Sequence, residues 1–298
     1  FFLSPQGPLP SFLSVQQRFF VARENARVCR NRASGERRPF LGRVSLQLQK
    51  QSAGTFASDQ EDAAPSCVKT CSNREGLRAI THPDVDLVIW QRQLPAALTT
   101  WLTELDPSKL PDFRVLVKPS DLRRAVEPHM DRCGMPRGEM RDLLLEDMLN
   151  LVKAYAGITR DQLVDVKLSR ITHDACSAFH CDFVDLRLVN TYRGPTTQWV
   201  QPQHSRQALR QQTDYDGPLQ SFGDSDVVVF RGVGPDSPPA WEGVKRFFGL
   251  SRGIVHRSPP ISGTGATRLL LVLNQRSRIS PDPWPCVCGQ SFCRESAS

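Results

Sequence analysis

His180, Cys181 and Asp182 form a His-x-Asp step. On a β-strand, where successive side chains alternate faces, the imidazole and the carboxylate of such a step project the same way with Cα atoms roughly 6–7 Å apart. Two groups so placed can grip one metal ion. His256 ends another predicted strand and offers a third ligand. Two imidazoles and one carboxylate on one side of an ion are the facial donor set of non-haem Fe(II). Three coordination positions then stay open, enough for a bidentate oxo acid and dioxygen. The same donors also suit zinc, because affinity order alone does not select iron. A barrel that stores, senses or delivers a divalent metal without turnover would use them equally well, and in a third reading these side chains pack structurally with no metal.

Arg268 follows His256 by twelve residues and leads into Leu269–Leu273, a run apolar on both faces and hence expected to be buried. A buried guanidinium requires an anionic partner. That partner is either a structural carboxylate or the distal carboxylate of 2-oxoglutarate, which Arg can clamp through two parallel hydrogen bonds. Continuing the even-numbered face from His180 and Asp182 through Val184, Leu186 and Leu188 places Asn190 and Tyr192 in the same interior, provided no bulge intervenes. There they would serve the cosubstrate or a metal-bound water. Arg187 falls on the opposite face, where a structural pairing is expected. Arg193, Trp199 and the loop 200–222 are expected at the mouth of the barrel, with Arg193 as a substrate contact.

The other histidines carry less. His173 beside Asp174 is a substitute for His180, and His82, His129 and His204 adjoin Pro or polar loop residues and read as surface groups. Ser258 near His256 lacks the strand-to-helix elbow of a serine nucleophile.

These side chains need elements to hold them. Val85–Trp90 and Phe113–Val117 read as short strands, Pro95 opens a helix through Leu105, and Pro136 heads a second helix through Tyr155 that Gly157 stops. The Leu/Met stripe of that second helix is ordinary core packing. After Asp161 the period changes to two, with strands at 164–168, 179–192, 226–230, 253–256 and 267–273. Helices first and strands later predict an α+β chain: a helical N-terminal portion packed on a C-terminal jelly-roll-like barrel, a double-stranded β-helix, starting near residue 161. The expected organisation is a leader and polar linker over 1–78, one domain over 79–280 and a Cys-containing tail over 281–298.

Charge and cysteine content set further bounds. Residues 1–50 hold nine basic groups against Glu24 and Glu36, the whole of the net +7, leaving 29 basic and 29 acidic groups downstream. The body of the chain therefore has no phosphate-binding footprint for nucleic acid. The Arg-rich, acid-poor leader resembles a transit peptide, which would direct the chain to a mitochondrion or plastid; without that role, the cytoplasm is expected. The longest unbroken apolar run, Leu269–Leu273, is far short of a membrane span. Nine cysteines, an odd number, favour a reducing compartment. Cys286, Cys288 and Cys293 offer three thiols where structural zinc wants four ligands, and Cys67 and Cys71 lie in the linker.

Phe179-His180-Cys181-Asp182, the run Leu186 to Pro195, His256-Arg257-Ser258-Pro259-Pro260 and Arg268-Leu269-Leu270-Leu271 together resemble a family known as domain of unknown function 1826, over about residues 80–275. Their order is also similar to that of the Fe(II)/2-oxoglutarate dioxygenases of double-stranded β-helix fold. That resemblance implies iron ligands at His180, Asp182 and His256 and a cosubstrate clamp at Arg268. The turn Arg193-Gly194-Pro195-Thr196-Thr197 departs from the Gly-Gly-x-Thr often found there, so the resemblance implies the metal site more firmly than the cosubstrate.

Overall fold

The computed structural model describes residues 67–234 and 253–284. Ten strands are present among them: β1 Val68–Cys71, β2 Leu87–Trp90, β3 Phe113–Val117, β4 Val164–Ile171, β5 Leu186–Arg193, β6 Gln198–Trp199, β7 Gln220–Ser221, β8 Val227–Arg231, β9 His256–Arg257 and β10 Arg268–Gln275. The helices are α1 Ala96–Glu104, α2 Leu122–Arg132, α3 Glu139–Thr159 and α4 Ser205–Gln211.

The strands form a large sheet in the order β1-β2-β8-β5-β10-β4-β3 and a small one in the order β7-β6-β9. An isolated antiparallel bridge from His180 to His256 extends the small sheet by one position beyond β9. Two four-membered layers thus face each other, β4-β10-β5-β8 against β7-β6-β9 and the His180 segment. Apart from the β6–β7 connection, which stays in the small sheet, the chain passes from one layer to the other at each step from β4 to β10, which is the jelly-roll arrangement. The fold is α+β, with helices backing the large sheet.

Strand alternation divides the interior in two. Leu188, Tyr192, Val227, Val229, Leu269, Leu271 and Leu273 face α1, α2 and α3 in one apolar cluster. Val189, Val228, Phe230 and Leu270 point the other way and meet Trp199, Phe222 and Ile254 between the two sheets. The α3 stripe Leu144, Leu145, Met148, Leu151, Val152, Tyr155 and Ile158 is buried against the first cluster at helical spacing. Glu139 and Asp142 occupy its first turn, where acidic groups complement the helix dipole.

Several expectations are corrected. Helix α3 runs past Gly157 and ends at Arg160, which takes the left-handed conformation at φ 62°. Residues 68–71 are strand β1, paired in parallel with β2, and residues 75–81 form a 3-10 turn, so part of the expected linker carries regular structure. The expected strand 179–192 is broken, because only His180 bridges to a neighbour before β5 begins at Leu186. The Arg-rich leader and Cys286, Cys288 and Cys293 lie outside the described residues. Among the described residues no helix is long and apolar enough to cross a membrane.

Candidate metal centre

Two reciprocal backbone hydrogen bonds of 3.0 Å between His180 and His256 make them opposite residues, and their ring centroids lie 4.5 Å apart. Each ring is fixed by its own strand: Nδ1 of His180 donates to the Ala178 carbonyl at 2.8 Å, and Nδ1 of His256 to that of Ile254 at 2.9 Å. A proton held on Nδ1 leaves a lone pair on Nε2, the tautomer a metal ligand needs. Both Nε2 atoms face Asp182, His180 at 3.7 Å from Oδ1 and His256 at 3.3 Å from Oδ2. Phe230 closes one side of His256 with ring centroids 4.9 Å apart.

An ion with bonds of about 2.1 Å holds neighbouring donors about 3 Å apart at right angles. The ligand atoms of His180, Asp182 and His256 all lie within 4.8 Å of one another, so contraction by up to about 2 Å closes them on one cation. The donor set therefore fits a divalent metal. Burial disfavours the charged form of Asp182, yet His256 and then Arg187 more than offset that and hold its carboxyl well below the usual carboxylate range. Burial, reinforced by His256, pushes the His180 imidazole down and favours its neutral, ligating form. His173, weighed as a substitute, is not part of the cluster.

Asp182 reaches the cluster through its backbone. Its carbonyl accepts from Val233 N–H at 2.8 Å. A Cβ on Gly232 would come within 2.4 Å of that same carbonyl oxygen and 2.3 Å of Val184 O, so the chain after β8 presses on the 182–184 bend where only glycine fits. That bend is why face counting fails across it.

On β5 the odd-numbered side chains, not the even ones, face the site. Arg187 lies 2.6 Å from Asp182 Oδ2 and donates from Nε to Asn274 Oδ1 at 2.8 Å. Tyr192 points into the helical layer, donates to Asp147 Oδ2 at 2.7 Å and has its hydroxyl pushed well above the usual range by burial and then by Asp147. Asn190 donates to the carbonyls of Ser225 and Asp226, each at 3.0 Å, tying β5 to the turn before β8. Neither reaches the cluster. The expected interior placement of Asn190 and Tyr192, and of Arg187 on the far face, is reversed.

Arg268 is 0% exposed and lies between the sheets. Its guanidinium donates to Pro195 O at 2.7 Å, Ser258 Oγ at 2.9 Å and Thr197 Oγ1 at 3.2 Å, all neutral acceptors. Among the described residues no carboxylate pairs with it, and burial lowers its pKa to about 10. Thr197 and Ser258 adjoin the β6–β9 pair Gln198↔Arg257, so these two hydroxyls arrive on neighbouring strands. Both were in plain view in the sequence, but a hydroxyl beside a motif carries no mark of what it will bond.

Gly194, at φ 81°, makes the close turn that seats Arg268, for a Cβ there would stand 2.5 Å from Thr267 O. At this end of β5 opens a cleft of about 1760 Å³ lined in part by Arg193, Trp199 and Phe222. Arg193 itself is engaged with the Leu102 and Leu105 carbonyls at the end of α1, at 3.0 and 2.6 Å.

A jelly roll carrying a His-Asp-His cluster at the edge of its small sheet is the class that fold and site define. Residues 72–274 match the family described as "Protein of unknown function (DUF1826)", and the chain belongs to that family. No curated protein matches the sequence. Among solved structures, a dioxygenase for auxin oxidation from rice is 12% identical with a TM-score of 0.34, covering 63% of this chain and 72% of its own. Dioxygenase for auxin oxidation 1 of Arabidopsis thaliana, solved with 2-oxoglutarate, is 8% identical with a TM-score of 0.38, covering 72% and 95%. A prolyl-4-hydroxylase of Pseudomonas putida is 16% identical with a TM-score of 0.32, covering 67% and 100%.

Proposed function

We propose that this chain is a non-haem Fe(II)/2-oxoglutarate-dependent oxygenase, with His180, Asp182 and His256 as the iron ligands and Arg268 as the clamp for the far carboxylate of the oxo acid. The observation that carries this reading is the Arg268 guanidinium, fully buried yet hydrogen-bonded, among the described residues, only to neutral oxygens. Of its five N–H donors three are used, which leaves two for an incoming carboxylate. Burying a cation without an anion is costly, and an acid that supplies the missing charge recovers that cost on binding.

Placement supports the same reading. Ser258, which touches Arg268, lies two residues beyond His256, just past the end of β9. That offset corresponds to roughly 6–7 Å, which suits an acid engaging the metal cluster at one end and the guanidinium at the other. Iron held by two imidazoles and a carboxylate supplies dioxygen activation coupled to decarboxylation of the oxo acid. The chain itself orients both imidazoles through Ala178 and Ile254, keeps Asp182 ionised and shields His256 from water with Phe230. A barrel that merely held zinc would have no use for an unpaired Arg268.

The test is anaerobic purification with metal analysis, then addition of Fe(II) and 2-oxoglutarate. A visible charge-transfer band at one equivalent of each is expected, together with loss of metal uptake in His256→Ala. Tight stoichiometric zinc with no such band would overturn the oxygenase in favour of the metal-binding barrel, and unchanged metal content in His256→Ala would overturn both.

A further inference from the structure

We propose that Arg187 is a positioning residue that restricts Asp182 to coordination through one oxygen, so that three metal positions stay open; this rests on the metal site proposed above. Both carboxylate oxygens of Asp182 look toward the imidazoles, Oδ1 at 3.7 Å from His180 Nε2 and Oδ2 at 3.3 Å from His256 Nε2. Nothing in the imidazole arrangement itself prevents both from chelating one ion. A carboxylate that did so would add a fourth protein donor and leave two open positions in an octahedral shell. A bidentate oxo acid would then fill the site and exclude dioxygen.

Arg187 removes that option. Its terminal nitrogen stands 2.6 Å from Oδ2, in ion-pair contact but without hydrogen-bond geometry. A divalent ion drawn onto Oδ2 would approach a fixed positive charge at short range, whereas Oδ1 lies farther from it. Like-charge repulsion at a few ångströms is strong where water is scarce, and here the side chains of Arg187 and Asp182 are only 24% and 10% exposed. The guanidinium is also fixed from behind, because Nε donates to Asn274 on β10, the residue paired opposite Arg187. Adjacent strands of the large sheet thus aim one charge at one oxygen. The bond from Val233 N–H to the Asp182 carbonyl keeps the carboxylate's backbone from swinging away.

The experiment uses Mn(II), an oxygen-tolerant spin probe, on the full chain, and reads water-proton relaxation at saturating protein. Wild type is expected to retain three exchangeable inner-sphere waters. Arg187→Met is expected to retain two, lowering the relaxation enhancement by about a third while Mn(II) binds more tightly, because a repelling charge is gone and a donor is gained. Arg187→Lys keeps a charge near Oδ2 and is expected to recover the wild-type hydration, which a role in folding alone would not predict. Should Arg187→Met fail to fold, Asn274→Ala releases the guanidinium without removing it and is expected to give an intermediate enhancement.

Equal enhancement in wild type and a folded Arg187→Met, or an unchanged value in Asn274→Ala where that variant stands in, would overturn the positioning role and leave the metal site intact. Wild-type protein that binds neither Mn(II) nor Fe(II) would overturn the metal site, and this inference with it.

Discussion

In the helical layer buried charges meet their opposites: Arg92 donates to Asp147 Oδ2 at 2.9 Å, Asp147 also accepts from Tyr192, and Arg141 reaches Asp131 at 2.6 Å. Between the two sheets the pattern differs. Among the described residues Arg268 has only neutral hydrogen-bond partners, and the Asp182 carboxylate faces Arg187 and two imidazoles. Both regions belong to one sheet and differ only in which face of β5 and β10 they use. The helical face neutralises its charges internally, as a structural network does; on the inner face Asp182 is met by Arg187, but no carboxylate among the described residues meets Arg268.

Four substitutions press on that contrast. Asp147→Ala leaves the nearly buried Arg92 without its anion and Tyr192 without an acceptor, and is expected to cost about 3–5 kcal/mol in a urea or thermal unfolding series. Full stability in that variant would mean the helical network is not self-contained. Arg268→Met is expected to weaken 2-oxoglutarate binding on the order of 100-fold, since two charge-assisted hydrogen bonds are lost. Its unfolding midpoint without the acid should stay close to wild type, because no carboxylate is orphaned. Calorimetric titration and a melting curve read the two parts separately, and a large destabilisation would show that Arg268 completes the fold instead of a ligand.

Tyr192→Phe removes one hydroxyl from the helical network. The expected loss is about 1 kcal/mol of stability, with 2-oxoglutarate affinity unchanged by calorimetry; a weakened affinity would return Tyr192 to the cosubstrate. The smallest effect concerns Asp131, whose carboxyl is held down to about 2 by hydrogen bonds from Arg137 and then Arg141. Its folded pKa lies below the ordinary 3.8, so its contribution is present above pH 3.8 and is lost as pH falls toward about 2. Asp131→Asn should flatten the pH dependence of the urea midpoint in that window and leave it unchanged near neutrality.

The residue types of the site were legible because His-x-Asp, a late His and a following Arg sit at strand ends whose apolar runs the sequence shows directly. The helices α1 and α3 were legible from their spacing. The assignment of faces on β5 was not, since alternation holds only along an unbroken strand, and residues 183–185 form a bend pressed by Gly232. Helix α2 was missed because it carries Pro128 and five charged residues among its eleven, a composition that masks the buried Leu122, Val126 and Met130. Strand β1 was missed because the four residues VKTC present no buried face of their own and pair along an edge. Arg187 was placed in a structural role for the same reason that Tyr192 was placed in a functional one: a single slip of register exchanges the two.

The seam between Gly194 and Thr267 has a consequence for how such a protein can change. The backbone of Arg268 is seated at that seam, whereas the imidazoles hang from the His180–His256 bridge, and the hydrogen bond that runs between the two neighbourhoods, from the guanidinium to Ser258 Oγ, is made by side chains alone. A larger side chain at position 194 would displace the guanidinium while sparing the bridge. Retuning which acid is accepted and retuning which cation is held are thus separable lineages of mutation, each able to drift without dismantling the other.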